Sequence, residues 1–243
     1  MTKRGADASR FCFVDMVRFL RCYSYICFSM QLSVSGLMPV PLRERVEGRT
    51  SGLWLRDLVL QGDEYVFVKA PSGTGKTTLI HMLYGIRGDY EGAMQWDGQV
   101  MRSMNAGALA ALRAGKLSVI FQDMRLFPEL TAWENLEIKR QLTDTVDEAT
   151  VKGWMQRLGI GNKSASRAAT LSYGEQQRVA IIRALLQPFE WLLMDEPFSH
   201  LDNENKAKAA QLVLEVVKQR NAGLLLADLD DNNYFPYTQT IDL

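Results

Sequence analysis

Short apolar, β-branched runs alternate with longer segments of helical period along most of this chain. From Met30, MQLSVSGL reads as an opening strand. YVFVKA (65–70) is a compact apolar run, and TTLIHMLYGI (77–86) then places Leu79, Ile80, Leu83 and Ile86 at helical spacing. LSVIF (117–121) and WLLMD (191–195) predict two further buried strands. The stretch between them, about 123–186, reads as helix-rich. Within it, DEATVKGWMQRLGI puts Val151, Trp154, Met155 and Leu158 on one face. NENKAKAAQLVLEVVKQR (203–220) predicts a long helix that stops at Asn221-Ala222-Gly223, and GLLLAD (223–228) a last strand. Strands alternating with helices predict an α/β fold with a mainly parallel sheet and an inserted helical subdomain. The expected organisation is one domain over 31–243, its core about 31–122 and 187–243, its helical subdomain about 123–186.

Residues 1–30 do not fit that pattern. They have a basic start and an aromatic-rich run that Asp15, Arg18 and Arg21 interrupt. They are expected to be an extension outside the compact domain, disordered or upstream of a natural start at Met30; a short membrane-surface helix is the alternative. No run of about 18 apolar residues occurs anywhere, so no membrane span is predicted.

One strand-to-helix junction carries recognisable chemistry. APSGTGKTT (70–78) lies between a predicted strand and a predicted helix, where backbone N–H groups and a helix N-terminus can face an anion. Gly73 and Gly75 let the loop of Ser72, Gly73, Thr74 and Gly75 wrap tightly, Lys76 would hold β- and γ-phosphates, and Thr77, followed by Thr78, would ligate Mg²⁺. An ordinary glycine-rich turn does not account for Lys76 and Thr77 at those places. The usual pattern opens with glycine where this chain has Ala70. The motif predicts a P-loop nucleoside triphosphatase and nothing narrower.

Two further segments narrow the class. WLLMDEPFSHLD (191–202) delivers adjacent carboxylates at a strand end: Asp195 would hold Mg²⁺ through water, and Glu196 would act as general base on an attacking water. In LSYGEQQRVAIIRALL (171–186), Ser172 and Glu175 have capping-box spacing, so a helix should begin there. From spacing alone that segment is only a well-capped helix.

Composition changes the picture by exclusion. Basic and acidic residues balance at 28 each, so no global field attracts nucleic acid or an anionic membrane. The three cysteines, Cys12, Cys22 and Cys27, show no C-x-x-C spacing, which argues against a disulfide framework or zinc site and suits a cytoplasmic compartment.

Taken in order, these motifs resemble the ATP-binding subunits of ABC transporters over roughly 31–243. The P-loop at 70–78 is followed by a Q-loop glutamine, Gln122 in VIFQD, then the signature at 171–175, the 191–196 strand and a D-loop, SHLD, at 199–202. LFPELTAWENL (126–136) resembles the lipoprotein-releasing and macrolide-export members. The resemblance implies a homodimer with two ATP molecules sandwiched between chains. Ser172, Gly174 and Glu175 would then contact the nucleotide on the partner's P-loop, and Gln122 would sit by Mg²⁺. It also implies a separate permease resting on the helical subdomain at the cytoplasmic face of the membrane. Three departures stand out. Tyr173 replaces a glycine of the signature. No aromatic residue marks the adenine position, where Met38-Pro39-Val40-Pro41 stands, and Trp54 reads as core. Asp228 takes the place of the switch histidine, and is expected to orient the water or the D-loop. A nucleotide-binding module that hydrolyses poorly, or a non-transport ATPase of the same class, are the alternatives.

Overall fold

The computed structural model describes residues 30–46, 51–229 and 231–243. The extension with its three cysteines, and Asp230, lie outside the described residues. Strands β1 (Leu32–Pro39), β2 (Leu58–Leu60) and β3 (Tyr65–Lys69) lead into helix α1 (Lys76–Leu83). β4 (Tyr90–Trp96), β5 (Gln99–Val100), α2 (Ala106–Gly115) and β6 (Leu117–Ile120) follow. Three helices come next, α3 (Ala132–Thr143), α4 (Glu148–Arg157) and α5 (Tyr173–Leu185). The chain closes with β7 (Trp191–Asp195), α6 (Asn203–Arg220), β8 (Gly223–Asp228) and β9 (Gln239–Asp242). The predicted strands at 65–70, 117–121, 191–195 and 223–228 and the helix at 203–220 all form, with ends within a residue or so.

β6, β7, β8, β3 and β9, in that order, make a parallel five-stranded sheet. Its side chains alternate between two buried faces, as the two-residue period of a strand requires. Phe67, Leu192, Met194, Leu224 and Leu226 pack with residues of α5 and α6 such as Val179, Ile182 and Val213. Val66, Val68, Leu193, Leu225 and Ala227 pack on the other side with Leu79, Ile80 and Leu83 of α1. Burial on both faces explains why these strands read as continuous apolar runs.

The second sheet is a finding the sequence reading did not anticipate. β2, β1, β4 and β5 form a separate antiparallel sheet, in that order, which packs against the α1 side of the parallel one. A local signal for it exists. Asp97-Gly98 joins β4 to β5 with φ of 49° and 74°, the left-handed pair of a two-residue hairpin turn. Trp96 and Trp191 meet between the sheets with ring centroids 5.8 Å apart, and the Trp191 indole N–H donates to the Met30 carbonyl at 2.6 Å.

The parallel arrangement brings strand ends to one level. Asp195 lies opposite Ala227, and Lys69 opposite Asp228, so β3, β7 and β8 finish side by side. Ligands of such sheets bind beyond the carboxyl ends of the strands.

Gly92 of β4, with φ of +81°, lies against the backbone of β1, and a Cβ there would lie 2.3 Å from the Gly36 carbonyl oxygen. Gly92→Ala is therefore expected to cost about 2–3 kcal/mol and to lower Tm by roughly 5–10 °C. Thermal unfolding followed by circular dichroism checks this; an unchanged Tm would mean the two strands do not pair as described.

Candidate functional site

At the C-terminal end of β3 the chain turns through Ala70–Gly75 into α1. Gly73 and Gly75 have φ of +80° and +109°, which side chains with a Cβ rarely adopt. Gly75 has a second reason to lack one: a Cβ would lie 2.7 Å from Leu42 Cδ1 and 3.2 Å from the Trp54 ring. Trp54 is buried beneath the loop, and its indole N–H donates to the Thr74 carbonyl at 3.3 Å. Its place is thus in the core, as the sequence suggested. The Thr74 hydroxyl turns back to donate to the Pro71 carbonyl at 2.8 Å.

The Lys76 side chain is buried. Its ammonium donates to the Ala70 carbonyl at 2.8 Å and lies 3.3 Å from Glu196 Oε1. Gln122 Nε2 donates to the other oxygen, Glu196 Oε2, at 3.2 Å, while Thr77 Oγ1 donates to Gln122 Oε1 at 3.4 Å. Lys76, Glu196, Gln122 and Thr77 therefore form one connected polar arc drawn from three chain segments. Ser72, Gly73, Gly75, Thr78, Leu42 and Arg45 complete the walls of the same open cleft, about 260 Å³ in volume.

Glu196 is held in an unusual backbone conformation, φ of 45°. Its N–H donates to the Ala227 carbonyl at 3.0 Å, and its own carbonyl accepts from Gln177 Nε2 at 3.3 Å. Strain of this kind persists where the surroundings over-determine it, often at functional sites. Gln177 is fully buried and also bridges to the D-loop, donating to Ser199 Oγ and accepting from the His200 N–H at 3.0 Å. The sequence reading missed this residue. A polar side chain on the buried face of an otherwise apolar helix was the available signal.

Asp195 ends β7 with no exposure, and neither carboxylate oxygen has a hydrogen-bond partner among the described residues. Burial pushes its pKa up to about 6; the Thr77 hydroxyl pulls it down in part without closing a hydrogen bond. A buried, unpartnered carboxylate beside a hydroxyl and an amide oxygen is an oxygen-donor set of the kind a hard divalent cation takes.

Asp228 does not line the cleft. Its carboxylate accepts from the Leu229 N–H at 2.7 Å and its backbone carbonyl from the Ala70 N–H at 3.0 Å. Burial raises its pKa, the Leu229 N–H lowers it, and the charge of Glu196 raises it. Its neighbour Asp231 is accounted for by an ion pair with Lys69 at 2.5 Å. His81 is half-buried on α1 with its ring edge to Phe121, and His200 is exposed.

Ser172, Gly174 and Glu175 stand at the N-terminus of α5, outside the cleft that holds Lys76. The capping box forms as expected: Glu175 N–H donates to Ser172 Oγ at 3.3 Å and Ser172 N–H to Glu175 Oε2 at 2.8 Å. Gly174 is required by a close approach, since a Cβ there would lie 2.8 Å from the His200 carbonyl oxygen. Tyr173 is exposed and stacks on His200 with centroids 5.4 Å apart.

The sequence profile described as "ABC transporter" matches residues 57–199, over half the chain. The chain belongs to this family. The lipoprotein-releasing system ATP-binding protein LolD of Idiomarina loihiensis is 33% identical over 72% of this chain and 78% of its own length. The molybdenum import ATP-binding protein ModC of Mesorhizobium japonicum is 41% identical, over 57% of this chain and 38% of its own length. The macrolide export ATP-binding/permease protein of Paracoccus denitrificans is 36% identical over 68% of this chain and 25% of its own length. The match thus spans well under half the length of these last two proteins. The relatives divide between import and export, so the likeness carries the family and not a direction. The fold agrees with that of a dimeric bacterial ABC transporter cassette, TM-score 0.70 at 23% identity over 82% of this chain and 88% of that one.

Asp195 gives a pH-dependent prediction. Because its pKa in the folded chain lies above the ordinary 3.8, the folded state keeps the proton between about pH 4 and 6 while the unfolded chain loses it. Its contribution is present below pH 4 and lost as pH rises through 6, about 3 kcal/mol in all. In metal-free buffer the Tm of Asp195→Asn is expected to gain on wild type as pH rises from 4 to 7. Parallel curves would show that Asp195 is not desolvated.

Proposed function

We propose that this chain binds and hydrolyses ATP as the ATP-binding subunit that drives a separate membrane permease. The observation that carries the reading is the arc joining Lys76, Glu196, Gln122 and Thr77 at the strand ends, with the buried Asp195 beneath it.

The loop N–H groups of Ser72–Gly75 and the start of α1 would cradle the phosphates, with Lys76 on the β- and γ-phosphate oxygens. Asp195, Thr77 and Gln122 would hold Mg²⁺, which supplies charge neutralisation on the phosphate chain. Glu196 is the proposed general base. In the free chain its carboxylate is engaged by Lys76 and Gln122. Phosphate oxygens that draw the Lys76 ammonium toward themselves would release Glu196 to accept a proton from water. The base is then freed only when nucleotide is present. Asp228 acts as a positioning residue, its carbonyl fixing the first residue of the loop.

Ser172, Gly174 and Glu175 are proposed to meet the nucleotide of a second copy, because this chain does not bring them to its own cleft. The permease is proposed to dock where Phe127, Ile138 and Leu142 leave apolar surface exposed beside a groove of about 250 Å³ between β6 and α3. No helix of the described residues is long and apolar enough to cross a membrane, so passage through the bilayer is assigned to the partner.

Phosphate release with Mg²⁺-ATP tests the reading. Glu196→Gln is expected to lose about 100-fold or more in turnover while still binding ATP. Asp228→Ala should lose much less, and Lys76→Ala should lose binding. Wild-type turnover no higher than that of Lys76→Ala, with permease present, would contradict the ATPase reading and leave a nucleotide-binding module.

A further inference from the structure

The terminal phosphate of a nucleotide in this cleft would gather the largest negative charge at the reacting end, and Lys76 is the only cation so far assigned to it. Of the neighbouring strand ends, that of β8 brings only Asp228, whose carboxylate is occupied by the Leu229 N–H and would repel phosphate. One other cationic side chain lines the cleft, and it is Arg45.

Arg45 belongs to a single helical turn, Arg43–Val46, laid over the phosphate loop. The turn is anchored on several sides. Leu42, just before it, packs on Gly75, Val46 is buried in the core beneath, and Arg43 pairs with Glu91 of β4. Residues two apart in a helical turn point in nearly opposite directions, so fixing Arg43 outward toward β4 turns Arg45 to the cleft. A Cβ placed on Gly73 would lie 3.7 Å from Arg45 Nη1, which locates the guanidinium at the mouth of the loop. Arg45 is exposed, and no carboxylate among the described residues pairs with it. An unpaired guanidinium opposite Lys76 and Glu196 has up to five N–H donors to offer an oxyanion.

Building on the proposed ATPase reading, we propose that Arg45 contacts the γ-phosphate from the same chain. It would thereby distinguish ATP from ADP and stabilise the charge that develops as the terminal phosphoryl group leaves. Strand β8 supplies no cation at its end, and the turn preceding the core supplies one instead. Charge-assisted contacts of this type discriminate strongly when one ligand lacks the partner oxygens.

The test is equilibrium binding of Mg²⁺-ATP and Mg²⁺-ADP to the full chain in a Glu196→Gln background, so that ATP is not consumed. Arg45→Ala is expected to weaken ATP by about tenfold or more, as for a lost hydrogen bond to a charged group, and ADP by less than about twofold. Arg45→Lys should recover much of the ATP affinity. Equal weakening of both nucleotides would place Arg45 on the base or the inner phosphates and overturn the proposal, as would no weakening of either. Those results would leave the ATPase reading standing, provided binding still depends on Lys76. If the Arg45-intact chain binds neither nucleotide, the ATPase reading falls, and the role of Arg45 with it.

Discussion

The site depends on where one ammonium group is held. Lys76 is buried, and a buried cation is costly unless its donors are satisfied. Here the Ala70 carbonyl and the Glu196 carboxylate satisfy it, one from the end of β3 and the other from the end of β7. The same pair fixes the phosphate loop relative to the residue proposed to activate water. Gln122, at the end of β6, reaches the other oxygen of that carboxylate and passes the constraint to Thr77. Three strand ends are thus locked together through one carboxylate, and an incoming polyanion would compete for its partners.

The fold makes this possible because both faces of the parallel sheet are buried. Along β3, β7 and β8 the interior positions are apolar, and the charged residues Lys69, Asp195 and Asp228 stand at the ends, where the chain leaves the sheet. Asp195 shows what that costs: it sits wholly buried with no hydrogen-bond partner among the described residues, and burial raises its pKa. A group so disfavoured gains most from a ligand that brings positive charge. Glu196 adds backbone strain at the next position, offset by hydrogen bonds from Gln177 and to Ala227. Gln177 also grips the D-loop, so one side chain of α5 ties the backbone of Glu196 to the segment at 199–200.

Much of this was legible in the sequence, for identifiable reasons. Buried parallel strands are continuous apolar runs, so 65–70, 191–195 and 223–228 stood out, and α6 announced itself through its period and its Asn221 stop. The phosphate loop was legible because Gly73, Gly75, Lys76 and Thr77 are needed at fixed spacing. The antiparallel sheet was not: its first strand stood out at MQLSVSGL, but its pairing with β4 is a long-range contact, and the Asp97-Gly98 turn was passed over. Gln177 and Arg45 were missed for a different reason: their roles come from long-range packing, the first against the D-loop and the second across the phosphate loop. The acidic cluster at the end of β8 resolved only with distances in hand. Asp231 pairs with Lys69, and Asp228 turns to its own backbone.

The most direct test of the central claim is a crystal structure of the Glu196→Gln chain with Mg²⁺-ATP. It should show the triphosphate in the 70–78 loop, with Lys76 on its β- and γ-phosphates and the metal against Thr77, Gln122 and Asp195. Ser172 and Gly174 of a second copy should close over it. Nucleotide bound elsewhere, or a loop still closed on Glu196 with ATP outside it, would contradict the account.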